Sequence, residues 1–152
     1  MKKVTMIFAV LALIVGTNAF ANTGDKTIDK VSKAAKAEFQ KNFTGAENVT
    51  WETTDEFYFA SFELNGKAVK AAYDEKGELL GTSRKLQFSD LPLNVSQSIK
   101  SNYTDYVIGK TVTEIVFEGE TFYYVTVTGA TRILNLKCFS DGQIYVEKKI
   151  KK

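Results

Sequence analysis

The chain repeats itself, and that repetition restricts the folds open to it more than any other feature. The segment YFASFELNGKAVKAAYDEKGELL, Tyr58 to Leu80, is echoed by YYVTVTGATRILNLKCFSDGQIY, Tyr123 to Tyr145. Each copy reads as a strand, a short Gly-containing turn, a second strand, an aromatic, an Asp-and-Gly turn and a third strand. The run Tyr73-Asp74-x-x-Gly77-x-Leu79 corresponds to Phe139-x-Asp141-Gly142-x-Ile144, with one residue deleted in the second turn. Asn65-Gly66 predicts a tight hairpin, because both residues tolerate the positive φ of a type I′ turn. Gly129-Ala130 occupies the matching place in the second copy.

A helical segment precedes each strand set. In TIDKVSKAAKAEFQKNF, Thr27 to Phe43, the residues Ile28, Val31, Ala35 and Phe39 recur at helical spacing, with Lys30, Lys33, Lys36 and Lys41 on the wet side. In DLPLNVSQSIKSNY, Asp90 to Tyr103, Pro92 suits a first helical turn and Val95, Ile99 and Tyr103 form a stripe. A further strand follows each helix, ENVTWET around Val49 and Trp51, and VIGKTVTEIVFEG from Val107 to Gly119. Each repeat is therefore one helix and four strands, over about residues 27–86 and 88–150.

Two such units predict an α+β fold with one antiparallel sheet of about eight strands and two helices on one face. Side chains alternate across a strand, so the stripe Tyr58, Ala60 and Phe62, repeated as Tyr123, Val125 and Val127, belongs beneath the helices. The opposite face collects Phe57, Phe59 and Ser61 from one copy and Phe122, Tyr124 and Thr126 from the other. A sheet face without helices meets solvent or a partner, and there these aromatics are unexpected. Aromatics make good interface anchors because they bury large area at small rotamer cost, whereas cross-strand packing is their ordinary structural use.

The ends bound the compartment. Lys2 and Lys3 precede the uncharged apolar run Val4 to Val15, and Ala19-Phe20-Ala21 follows, which predicts a secretory signal peptide over residues 1–21. The run is short of the ~20 residues that span a bilayer, so no integral membrane segment is expected after cleavage. The mature chain, residues 22–152, is expected to be a single domain in the periplasm or secreted. Without Lys2 and Lys3 it carries 18 basic and 18 acidic residues, which gives no electrostatic invitation to nucleic acid. The basic tail EKKIKK reads as a solvated terminus. Cys138 is the single cysteine, so no internal disulfide framework exists, and its setting in ILNLKCF predicts a small buried hydrophobe.

These residues resemble the PepSY-like family, also described as beta-lactamase-inhibitor-like. The resemblance rests on a helix ending in an aromatic, then Gly45-Ala46-Glu47-Asn48-Val49-Thr50-Trp51, a Tyr-x-Ala-x-Phe strand, Asn-Gly, and Tyr73-Asp74-x-x-Gly77. Leu91-Pro92 opening the second helix and Tyr103 closing it are similar to the family's second repeat. The resemblance covers about Thr27 to Ile150 and implies a small periplasmic or secreted protein of helix-plus-sheet repeats, with no catalytic residues to carry across. It further implies an architecture similar to an inhibitor that grips beta-lactamases with the concave face of its sheet. Two departures stand out: the second repeat has Val116-Phe117 in place of a tryptophan, and Phe59 and Tyr124 stand where the family often has an acidic residue.

The chain contains no histidine, which removes the commonest general base, the commonest metal ligand and every Ser-His or Cys-His arrangement. Glu114, Glu118 and Glu120 surround a turn and read as solvated charges, and Asp74-Glu75-Lys76-Gly77 lacks the alternating oxygens of a calcium loop. No phosphate-binding glycine loop or CxxC pair occurs. Sequons at Asn42, Asn48, Asn94 and Asn102 matter only in a glycosylating host. The expectation is a protein that is not an enzyme, holds no cofactor or metal, and recognises a protein or peptide of the cell envelope through Phe57, Phe59, Ser61, Phe122, Tyr124 and Thr126. The alternative is a structural protein that associates with itself.

Overall fold

The structure is a computed structural model that describes residues 31–152. The expected signal peptide, residues 1–21, and the expected helix residues Ile28 and Lys30 lie outside the described residues. Among the described residues, eight antiparallel strands form one open sheet in the sequential order β1 to β8, and two α-helices accompany them. The chain divides into two compact units, the first ending at Arg84 and the second beginning at Lys85.

In the first unit, α1 (Lys33–Asn42) precedes β1 (Glu47–Thr53), β2 (Phe57–Leu64), β3 (Lys67–Asp74) and β4 (Leu79–Gln87), the last of which runs past the unit boundary. The described helix starts at Lys33, where the Ser32 hydroxyl accepts the Ala35 amide at 3.1 Å and caps the first turn; the expected stretch from Thr27 to Lys30 lies outside the described residues. Ala35 and Phe39 are its buried residues. Phe39 packs edge-on against Phe62 (ring centroids 4.9 Å apart) and Trp51 (5.4 Å), and these sit in one core with Val31, Ala60, Ala71 and Tyr73. The helix face of β2 is thus the stripe that alternation predicts. Asn65 and Gly66 take φ of 52° and 72°, the positive pair required by the two-residue β2–β3 hairpin.

The Asp74 to Gly77 turn is an ordinary β-turn closed on itself. The Gly77 amide donates to the Asp74 carbonyl at 3.0 Å, and the Asp74 carboxylate accepts the Glu78 amide at 2.8 Å. Gly77 has φ +86° and lies directly on α1: a Cβ there would stand 2.6 Å from the Ala34 carbonyl carbon and the Ala35 nitrogen.

In the second unit, a short 3-10 turn (Phe88–Asp90) leads to α2 (Leu93–Asn102), then β5 (Val107–Phe117), β6 (Glu120–Thr128), β7 (Arg132–Phe139) and β8 (Ile144–Lys151). Pro92 stands at the N-cap, one residue earlier than a first-turn position. Val95 and Ile99 of α2 pack with Tyr123, Val125, Val127, Leu134, Leu136 and Cys138. The helix is tied to the β7–β8 turn by the Asn94 amide donating to the Ser140 carbonyl (2.7 Å) and the Ser98 hydroxyl to the Gly142 carbonyl (2.8 Å).

The two helices end alike. The amide of Phe43 bonds to the carbonyl of Phe39, and that of Tyr103 to that of Ile99, so an aromatic closes each last turn. The match fails at the β6–β7 loop. Gly129 is not among the glycines with positive φ. Its missing side chain is required by space instead, since a Cβ would meet the Tyr106 ring at 2.7 Å.

The four sequon asparagines have local structural roles. Asn42 donates to Glu38, Asn48 to Glu63, Asn94 to Ser140 and Asn102 to Ser98. Asn48 also supplies a positive φ, 53°, at the register shift between β1 and β2, a conformation that asparagine tolerates better than most residues.

Candidate interaction surface

Each unit has a sheet face turned away from its helix. In the first unit, β2 places Phe57, Phe59, Ser61 and Glu63 there, and the register opposes Phe59 to Ala72 on β3 and Glu52 on β1, and Ser61 to Lys70 and Thr50. The small Ala72 leaves room for the Phe59 ring. Lys70 reaches back over that ring, its Nζ 5.5 Å from the centroid, and pairs with the Glu52 carboxylate at 2.9 Å. A lysine stem lying on an aromatic covers apolar area while its ammonium stays bonded.

The aromatics of this face are therefore not the exposed anchors that alternation alone suggests. Phe59 is 1% exposed and Phe57 8%, whereas Ser61 is half-buried. The Phe57 and Phe59 rings lie 6.4 Å apart, and both backbone groups of Phe57 bond to Thr54, which fixes the start of the strand. Alternation assigns a side chain to a face. It carries no information on what long neighbours fold across it.

In the second unit, β6 presents Phe122, Tyr124 and Thr126 opposite Ile115 and Thr113 of β5 and Phe139, Lys137 and Asn135 of β7. Phe122 is 4% exposed, Tyr124 half-buried and Thr126 exposed. Phe122, Phe139 and Tyr145 form an edge-to-face row across β6, β7 and β8, with centroids 5.2 and 5.5 Å apart. The Lys137 ammonium stands 4.1 Å from the Phe122 centroid and 5.4 Å from that of Phe139. Tyr145 closes the row and is 57% exposed. Thr126 donates to the Asn135 side chain at 3.2 Å.

The Tyr124 hydroxyl is pushed upward in pKa, first by burial and then by the charge of Glu147, with which it hydrogen-bonds. It stays protonated at neutral pH and serves as a donor. Lys70, Glu52, Lys137, Phe139, Tyr145 and Glu147 complete the two faces, although alternation along β2 and β6 does not point to them. A signal for Phe139 and Lys137 is present in the sequence, since both fall on the polar phase of the alternating run around Leu136 and Cys138.

Glu114, Glu118 and Glu120 do not converge. Glu114 pairs with Tyr123 on the helix side of the sheet, and Glu118 and Gly119 make the β5–β6 turn with φ of 51° and 79°. Among the described residues no group of three or more His, Cys, Asp or Glu could hold a metal ion, and no helix is long and apolar enough to cross a membrane.

Cys138 is fully buried, and burial pushes its thiol up to about 12. The native protein should leave this thiol unlabelled by an aromatic disulfide reagent at pH 8 and yield one equivalent once unfolded; rapid native labelling would show that the core opens. Because the folded pKa lies above the ordinary value, the unfolded chain releases this proton first. Stability from this group is full below about pH 8.5 and declines as pH rises toward 12.

An open antiparallel sheet of tandem helix-plus-strand repeats defines a protein of the BLIP-like fold. The chain is similar to a BLIP-like protein from Bacteroides fragilis, at 23% identity over 80% of this chain and 87% of that one, with a TM-score of 0.68. It is also similar to a DUF2874 family protein from Bacteroides ovatus (21% identity, 84% and 89% covered, TM-score 0.68). A third is a Bacteroides eggerthii protein provisionally described as periplasmic (15% identity, 80% and 88% covered, TM-score 0.67). Neither a protein-family profile nor a curated protein matches the sequence. At these identities the likeness establishes the fold.

Proposed function

We propose that this chain is a non-enzymatic cell-envelope protein of the PepSY-like family, periplasmic or secreted, that recognises a protein or peptide through the helix-free face of its sheet. The observation that carries this reading is Tyr145, 57% exposed and seated on an ordered aromatic platform with Phe139 and Phe122 beneath Lys137. An amphipathic ring held rigid on one side and open on the other has the make-up of an interface anchor. In this reading Phe57 and Phe59 form the floor of the first unit's face with Ser61 making contacts there, and Phe122 forms the floor of the second unit's face with Tyr124, Thr126 and Tyr145 making contacts.

The signal-peptide pattern and the provisionally periplasmic neighbour support the compartment. The missing histidine supports the absence of catalysis. Inhibition of a hydrolase is a narrower form of the same reading, supported by the BLIP-like neighbour and the sequence resemblance.

A photocrosslinking side chain placed at Thr126 or Ser61 should trap one discrete envelope protein in growing cells. The same group at Gln97, on the exposed side of α2, should trap nothing at comparable yield. Equal capture from all three positions would remove the basis for a face-specific partner, and a crosslinked dimer of the chain would favour self-association.

A further inference from the structure

The outer edge of β8 combines features that the helix-free face does not explain. β8 is the last strand in the sheet order, and no described strand pairs with its far side. From Ile144 to Lys152 the chain carries Lys148, Lys149, Lys151 and Lys152 against the single acidic residue Glu147. Besides Tyr145 of the helix-free face, two of the large hydrophobics exposed on the protein, Val146 and Ile150, lie on this strand. Arg132 stands directly opposite Lys151 on β7, so a further cation adjoins the edge. Among the described residues no carboxylate pairs with Arg132, Lys148, Lys149 or Lys151, while the Lys152 ammonium donates to the Gly129 carbonyl at 2.9 Å.

The backbone is equally unspent. The Lys152 amide donates to the Thr131 carbonyl at 3.1 Å, which sets the phase of the ladder. By the alternation of antiparallel pairs, Ile150 bonds inward to Ile133, whereas Lys149 and Lys151 turn their N–H and C=O groups to the free edge. The register shift between Asn135 and Leu136 falls at Glu147, whose carboxylate is engaged by Tyr124. The stretch beyond it, Lys148 to Lys151, keeps an unbroken register.

We infer that the β8 edge is a strand-addition site for an extended acidic segment of a partner protein, one alternating carboxylate and apolar side chains. Edge lysines repel a second copy of the same strand and any basic segment. The same field selects a strand of opposite charge, whose backbone completes the ladder and whose side chains reach Lys149 and Lys151 on one face and Ile150 on the other. This inference does not rest on the function proposed for the helix-free face.

The test uses the purified protein with a fluorescent octapeptide of alternating glutamate and valine, followed by anisotropy and by amide exchange. The acidic peptide should bind, a lysine–valine peptide should not, and N-methylation of alternate peptide amides should weaken binding at least about tenfold, the scale expected when ladder bonds are lost. Lys149→Glu with Lys151→Glu should weaken it similarly, and bound peptide should slow exchange of the Lys149 and Lys151 amides. Gln97→Ala, on the exposed side of α2, should leave peptide affinity unchanged. Undiminished binding of the N-methylated peptide would reduce the effect to charge alone and overturn strand addition. So would no binding, or protection of the same amides that rises with protein concentration in the absence of peptide, the mark of a second copy.

Discussion

Replacing Phe59 by Ala should cost about 4 kcal/mol of folding stability, the scale for truncating a buried phenylalanine. The ring is 1% exposed, opposes only Ala72 and Glu52 across its strands, and lies beneath the Lys70 stem, so no neighbour can refill the void. Thr126→Ala, at an exposed position, should change stability by no more than about 0.5 kcal/mol. Urea unfolding read by the fluorescence of Trp51, the single tryptophan, measures both. A loss below about 1 kcal/mol at Phe59 would show that the ring is exposed in solution. The same cost makes Phe59 a poor residue for testing recognition, because its loss removes the floor along with any contact. Exposed Thr126 and Tyr145 serve that purpose.

The second large effect is expected at Gly77. A left-handed backbone costs a residue bearing a Cβ about 1–2 kcal/mol, and this position adds a clash with the α1 backbone at 2.6 Å, where no flexible side chain can yield. Gly77→Ala should therefore destabilise by about 3 kcal/mol and lower Tm by roughly 12 °C in a domain of this size. Gly66→Ala has a similar φ, +72°, but open space around it, and should cost about 1 kcal/mol, or some 4 °C. Equal losses at the two sites would mean that the turn does not rest on α1. The comparison separates the conformational role of glycine from its steric one.

The order of elements was legible in the sequence because each strand of a half-wet sheet alternates. The two repeats could be aligned on Tyr58 and Tyr123, and β2 spans Phe57–Leu64 as the alternation predicts. The cap of α1 was not legible from hydrophobic spacing, since Ser32 is polar and acts through its hydroxyl. Gly129 shows a similar limit: it aligns with a turn position, yet its smallness is demanded by the Tyr106 ring, a contact that depends on where the end of α2 leads the chain. The candidate surface was half visible. Sequence placed Phe57, Phe59, Phe122 and Tyr124 on the face away from the helices, but their burial depends on Lys70 and Lys137 lying across the rings, and those contacts follow from register and not from composition.

The lysine-over-ring arrangement recurs in both units but from different positions in the repeat. Lys70 serves Phe59 in the first, and Lys137, which stands opposite Tyr124 as Ala72 stands opposite Phe59, serves Phe122 in the second. A covered aromatic with a cation above it is thus reached twice without a shared residue. Cation–π contacts at such partly exposed sites contribute about 0.5–1 kcal/mol each, so burial of the rings stabilises the face more than the cations do.

Occupation of the helix-free face in the cell envelope is measured most directly by tyrosine footprinting. The protein would be labelled by hydroxyl radicals once in purified form and once in the intact envelope. Tyr145, 57% exposed in the free chain, should lose most of its labelling in the envelope, while Tyr58, which packs against the α1 side of the sheet, should keep its own. Identical labelling of Tyr145 in the two settings would contradict occupation of that face.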